Sequence, residues 1–170
     1  MNSDPVVMEF FPAFQGRAAS DASIDSWQSQ FASQGWSNWA VELEASGQFV
    51  GFVGLTVPRR ILPFSPCVEI GWRLARSVWG QGFATEAARA TLRVGFEHLA
   101  LPEIVSFTAS SNQRSRAIME RIGMRNADEG HHRLRCHHSH GVAKLGNFTR
   151  PVVANSSRSL PNRCQRLRLP

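Results

Sequence analysis

Apolar positions at Ile24, Trp27 and Phe31 recur at helical spacing, and Ser20 or Asp21 can cap the first free amides, so the pattern predicts a helix over 21–33 closed by Gly35. Trp39, Val41 and Leu43 then alternate with Ala40 and Glu42 as in a half-buried strand. Ala45-Ser46-Gly47 supplies a turn, and the apolar run Phe49 to Val57 returns as its antiparallel partner. The proline-rich stretch Pro58 to Pro66, with Arg59 and Arg60 inside it, reads as a surface loop. Cys67 to Leu74 is a third strand, with Val68, Ile70, Trp72 and Leu74 on one face and Cys67, Glu69, Gly71 and Arg73 on the other. The stripe Ala84, Ala87, Ala88, Thr91, Leu92, Gly95, Phe96, Leu99 marks a strongly amphipathic helix. Ile104 to Ala109 follows as a short strand, and Asn112 caps a second helix that ends near Ile122, stopped by Gly123 in a left-handed conformation. The alternation of elements predicts an α/β fold with a mixed (α+β) sheet.

Beyond Asp128 the periodicity fails. The chain is therefore divided into a folded unit over 1–128 and a basic, His/Arg-rich tail over 129–170, where little packing is expected. Charge follows the same division. The formal net charge is +6, yet residues 1–130 hold 11 basic and all 13 acidic residues, whereas 131–170 hold 8 basic residues and no acid. A basic tail can contact polyanions through counterion release without any fold, so contact with nucleic acid is expected only as non-specific binding by the tail. With 42% hydrophobic and 19% charged residues the composition is globular. The longest apolar run is too short to cross a bilayer. No signal peptide is recognisable, and three cysteines, Cys67, Cys136 and Cys164, show no CxxC spacing, which fits a reducing cytoplasm.

The turn Ser77-Val78-Trp79-Gly80-Gln81-Gly82-Phe83-Ala84 joins a strand to the amphipathic helix. Glycines let the backbone approach a ligand, and first-turn N–H groups lack intrahelical partners, so the turn is a candidate phosphate site. The same sequence also serves as an ordinary tight connection. It lacks the Walker lysine and the third glycine of the dinucleotide fingerprint, which argues against ATP and NAD.

Three ordered segments, Val68-Glu69-Ile70-Gly71-Trp72-Arg73-Leu74, Trp79-Gly80-Gln81-Gly82-Phe83-Ala84-Thr85-Glu86-Ala87 and Asn112 through Met124, resemble the GNAT acyl-CoA N-acyltransferases, most closely the RimJ/RimL-like branch. The resemblance covers roughly residues 4–125. It implies acetyl-CoA as co-substrate, lying between the strands Cys67 to Leu74 and Ile104 to Ala109, with its pantetheine on main-chain groups of Ile70 and Trp72. It implies the pyrophosphate on the amides of Gly80, Gln81, Gly82, Phe83 and Ala84, Asn112 on the pantetheine side, and Ser115 near the sulfur. The partner it implies is an amine acceptor, a protein N-terminus or a small molecule.

Aminolysis of a thioester needs a neutral amine, a hydrogen bond to the carbonyl oxygen and a tolerable thiolate leaving group. Glu69 matches the family's general base, or it pairs with Arg73 on the solvent side of the strand. Ser115 is the candidate acid, or it makes local bonds in the first helical turn. The chain has no tyrosine to take that role. Cys67 as a nucleophile is weighed against Cys67 as a small packing residue, which the expectation of direct transfer in a ternary complex favours. Trp36, Trp39, Trp72 and Trp79 either frame an acceptor pocket or pack in the core. His131, His132, Cys136, His137, His138 and His140 match no standard zinc-ligand spacing, so no metal is expected. Against the family pattern, the first strand and the closing strands are not recognisable, and the acid-free C-terminus is expected to reflect a frameshift that leaves a sheet edge exposed. A coenzyme A-binding remnant without activity, and polyanion binding by the tail, are the alternatives to a working transferase.

Overall fold

A computed structural model describes residues 1–127, 131–135 and 166–169. After an irregular segment over 1–16 the elements are α1 (Arg17–Gln34), β1 (Asn38–Leu43), β2 (Phe49–Thr56), β3 (Glu69–Leu74), α2 (Phe83–Arg93), β4 (Glu103–Ser106), α3 (Gln113–Arg121), β5 (Arg125–Ala127), β6 (His131–Arg135) and β7 (Arg166–Leu169). The strands form one mixed sheet in the order β5-β6-β4-β3-β2-β1-β7. The α/β reading with a mixed sheet holds, and so does the antiparallel β1–β2 hairpin, in which Asn38 faces Gly54 and Ala40 faces Phe52.

Helix α1 starts four residues earlier than the pattern predicts, at Arg17 behind Gly16, and no side chain caps it. Ser20 and Asp21 lie inside the helix instead, where Asp21 accepts from Arg17 one turn away at 3.2 Å. Gly35 ends it at φ 82°, in the left-handed region predicted for it. Helix α2 follows its stripe: Ala87, Ala88, Thr91 and Leu92 are buried. Its last predicted turn is a π-turn over Val94–His98. That turn brings Gly95 against the sheet, where an added Cβ would meet Ile104 Cδ1 at 2.5 Å and Leu55 Cδ1 at 3.2 Å. The core on this side of the sheet joins Val41, Val53, Leu55, Ile70 and Ile104 to α2 and to Met119 of α3.

The segment 1–16 and α1 use the opposite face. Trp27 of α1 packs on Phe52 with ring centroids 4.6 Å apart, and Arg73 bonds Asn2 and Gln15. Helix α3 starts as predicted, with Asn112 Oδ1 accepting from Ser115 N–H at 3.2 Å, and Gly123 follows at φ 87°.

The C-terminal expectation is corrected in two places. Residues 131–135 form β6, which pairs antiparallel with both β4 and β5, and residues 166–169 form β7, parallel to β1. The β4 edge is thus covered, with Ile104 opposite Leu134 and Ser106 opposite His132. Main-chain pairing with a strand already in place needs no apolar alternation, so the sequence pattern does not reveal it. Residues 128–130, 136–165 and 170 lie outside the described residues, and with them Cys136, His137, His138, His140 and most of the basic tail. No helix among the described residues is long and apolar enough to cross a membrane.

The paired strand presses close at Gly54, where an added Cβ would strike the Cα of Asn38 and lie 2.5 Å from Ser37 O. Both obstacles belong to the paired strand and its lead-in, which cannot swing aside as a side-chain tip does. Gly54→Ala is therefore expected to cost about 2 kcal/mol or more, read as a lowered midpoint in urea unfolding; an unchanged midpoint would contradict this packing.

Candidate active site

Strands β3 and β4 run parallel but match at one register position, Glu69 opposite Val105, with Val105 N–H donating to Val68 O at 2.9 Å. Beyond it, β3 continues to Leu74 with only β2 beside it. The free side of β3 follows from parity. Ala75 N–H donates to Val50 O at 2.8 Å, so alternation turns the main-chain groups of Glu69, Gly71 and Arg73 toward β2. Those of Ile70, Trp72 and Leu74 face the other way, into the gap. The parallel pairing of Glu69 with Val105 takes the Ile70 N–H as well as Val68 O, and Leu74 O is taken by the Trp79 indole N–H at 2.9 Å, which leaves the Ile70 C=O and both main-chain groups of Trp72 to a ligand.

The gap opens into a groove of about 1560 Å³. At one end lie the turn Gly80–Gly82 and the first residues of α2 and α3; at the other lie Thr56, Arg60, Leu62, Phe64 and Phe107. Val6, Val7, Phe10, Phe11 and Pro12 of the N-terminal segment also line it. This segment is tied to both walls: Arg114 of α3 reaches Glu9 at 2.6 Å, and Arg73 of β3 donates through Nη1 to Asn2 Oδ1 at 3.0 Å and Gln15 Oε1 at 3.1 Å.

At the turn end, Gly80 and Gly82 adopt φ 76° and 88°, a conformation that disfavours other residues. No side chain caps α2, and its first backbone bond runs from Glu86 N–H to Gly82 O at 3.1 Å. The amides of Phe83, Ala84 and Thr85 therefore have no intrahelical acceptor and lie at the groove, where the helix dipole favours an anion. Gln81 spends its side chain on Ser77 O at 3.1 Å, so only its main chain serves the turn. The Trp79 ring is held back on the end of β3 and carries the Arg114 guanidinium 4.7 Å from its centroid.

All ten sequence-predicted site residues line this one groove: Glu69, Ser115, Ile70, Trp72, Gly80, Gln81, Gly82, Phe83, Ala84 and Asn112. Asn112 spends its side chain locally, accepting from Ser115 N–H and donating to Thr108 Oγ1 at 2.9 Å. The Ser115 hydroxyl makes no hydrogen bond among the described residues, so the local bond foreseen for it involves its amide instead. Of the four tryptophans, Trp72 and Trp79 line the groove, whereas Trp39 is buried against Phe31 and Trp36 packs on the core. Cys67 is not among the lining residues, and burial, with Glu69 nearby, pushes its thiol pKa up. Among the described residues no three His, Cys, Asp or Glu side chains gather as metal ligands.

Glu69 makes no ion pair with Arg73 among the described residues. Burial raises its pKa to about 7, with the Arg60 charge pulling the other way. The residues that sequence reasoning missed are Arg60, Arg73, Phe64, Phe107 and the N-terminal segment. Alternation already put Arg73 on the Glu69 face, but only the folded segment shows what surrounds it.

A sequence model of the acetyltransferase (GNAT) domain matches residues 1–125. Bacillus subtilis protein YkkB is 32% identical over 122 residues, covering 72% of this chain and 70% of that protein. The Aspergillus fumigatus FsC-acetyl coenzyme A-N(2)-transacetylase is 35% identical over 132 residues, covering 73% of this chain and 55% of its own length. Among solved structures, an acetyltransferase from Agrobacterium tumefaciens superposes with a TM-score of 0.63 at 26% identity, covering 79% of this chain and 80% of that one.

Glu69 also dictates a pH dependence of stability. The unfolded chain releases this proton near 4.5 and the folded chain near 7, so stability falls as pH rises through that window and levels off above it. Glu69→Gln removes the effect. The stability difference between variant and parent is expected to grow by as much as about 3 kcal/mol from pH 5 to pH 8, at roughly 1.4 kcal/mol per unit. Urea unfolding at both pH values checks it, and a difference that stays flat would refute the raised pKa.

Proposed function

The chain belongs to the GNAT acetyltransferase domain family, and with it to the acetyl-CoA-dependent N-acetyltransferases; on that premise we propose that it moves an acetyl group from acetyl-CoA to a primary amine by direct transfer, with both substrates in the groove between β3 and β4. The observation that carries the reading is the continuity of unpaired main-chain groups, from the Ile70 C=O and Trp72 to the uncapped first turn of α2, along one groove wall. An extended amide-bearing chain that ends in a diphosphate fits that wall. Pantetheine amides pair with the Ile70 C=O and with Trp72 as an added strand would, and the pyrophosphate lies on the amides from Gly80 to Ala84. The motif run also favours the RimJ/RimL-like branch.

Glu69 is the general base. A carboxylate with a pKa of about 7 has proton affinity to spare over an ordinary one, yet is largely ionised just above neutrality. It takes the proton that the amine must shed to attack, directly or through one water. The Ser115 hydroxyl, without a hydrogen-bond partner among the described residues, passes a proton to the departing thiolate as it takes one from solvent, and a good leaving group asks little of it. Direct transfer is favoured over a cysteinyl intermediate because Cys67 does not line the groove and burial keeps its thiol protonated.

Calorimetry with acetyl-CoA and thiol release across an amine panel test the proposal. With a good acceptor, kcat/KM is expected to climb with pH to a plateau above about 7, following the free-enzyme Glu69. Glu69→Gln is expected to lose about 10²-fold and that inflection, while still binding acetyl-CoA. Absence of acetyl-CoA binding by the folded protein would defeat the reading altogether.

A further inference from the structure

Arg73 is a half-buried cation in the groove wall with no ion pair among the described residues. Its two Nη1 hydrogens are used by Asn2 Oδ1 and Gln15 Oε1. One face of the guanidinium meets the Phe11 ring, 4.0 Å from its centroid, and Phe52 lies 5.3 Å away. Among the described residues Nε is fully enclosed and has no partner, while Nη2 makes no hydrogen bond and is not enclosed. Nε is sealed from any ligand, so the Nη2 hydrogens are the ones left to receive a carboxylate oxygen. Removing a cation from water without supplying its counter-ion is costly, and burial lowers the Arg73 pKa accordingly.

The charges around it point the same way. Arg60 lines the groove beside Glu69, and the acids lining the groove are Glu69 and, at the α2 end, Glu86. An amine brought to Glu69 thus meets one carboxylate with Arg60 beside it and Arg73 four residues further along β3. A polyamine would set its further positive charges against Arg60 and Arg73.

We infer that the acceptor is a small amine carrying its own carboxylate, its nitrogen directed to Glu69 and its carboxylate received by the unspent Nη2 of Arg73. This rests on the transferase reading above and adds the acceptor's chemical class. Glu69 and Arg73 are four residues apart on one strand, roughly 13 Å between Cα atoms, so the acceptor's amine and carboxylate are separated by several bonds. A protein N-terminus whose nearest acid is remote lacks the second group.

The test measures thiol release from acetyl-CoA by the full chain with triglycine and 6-aminohexanoate, each against its own carboxamide, and with spermidine. The acid of at least one pair is expected to exceed its carboxamide at least tenfold in kcat/KM, and to exceed spermidine. Arg73→Met, checked for folding by the rise of its melting temperature with acetyl-CoA, is expected to bring the acid-to-carboxamide ratio close to one. The ratio on the unaltered chain stands by itself should that variant misfold. Acids no better than carboxamides, turnover of neither included, or spermidine as the best acceptor, overturn the inference and leave the transferase reading standing. A melting temperature of the unaltered chain that acetyl-CoA does not raise takes down both.

Discussion

Everything at the site depends on the single-register contact between β3 and β4. Two parallel strands that stayed paired would satisfy each other's main-chain groups and close the sheet. Here the contact is limited to Glu69 opposite Val105, and beyond the Ile70 N–H β3 runs on to Leu74 without a strand on its second side. Unpaired N–H and C=O groups inside a fold demand partners, so the parted sheet is already a binding element before any side chain is considered. The indole of Trp79 closes this edge at Leu74 and the helix start of α2 prolongs it, which turns a strand edge into a track with a definite end.

The same strand divides labour between its two faces. Ile70 and Leu74 are buried on the α2 side and fix β3 in the core. Glu69 and Arg73 stand on the opposite face, where the covering layer is not a continuous helix but the irregular segment 1–16 with α1 behind it. A helix packed there would bury both charges completely; a segment fastened at Glu9, Asn2 and Gln15 leaves room between its fastenings. The groove exists because one face of the sheet is packed tightly enough to hold the other open.

What the sequence disclosed follows from how local each signal is. The α2 stripe, the glycines at 80 and 82, the Asn112 cap and the Gly123 stop each act within a turn of the residues that encode them, and each sits where pattern alone puts it. The strand parity of Cys67 to Leu74 was equally legible, and with it the separation of Glu69 from the core face. The start of α1 was not, because Ser20 and Asp21 carry cap chemistry but lie within the helix, whose boundary at Gly16 has no side-chain cap. Strand β6 has no alternation to read: His131-His132-Arg133-Leu134-Arg135 becomes a strand through its pairing with β4 and β5. Arg60 and the segment 1–16 enter the groove only through tertiary folding, so no spacing in the chain announces them.

The departures from a comfortable fold gather on this wall. A carboxylate with its pKa raised to about 7 costs stability at neutral pH, an enclosed guanidinium Nε without a partner costs more, and two glycines hold left-handed conformations at a helix that no side chain caps. On the α2 side the sheet is apolar and closely packed around Leu55, Ile70 and Ile104. A fold selected for stability alone would place a cap at Gly82, an apolar residue at Glu69 and an acid beside Arg73. That each of the three is missing along one groove, and that each absence leaves a group able to bind an anion or exchange a proton, ties the chemistry to this wall more firmly than any one residue does.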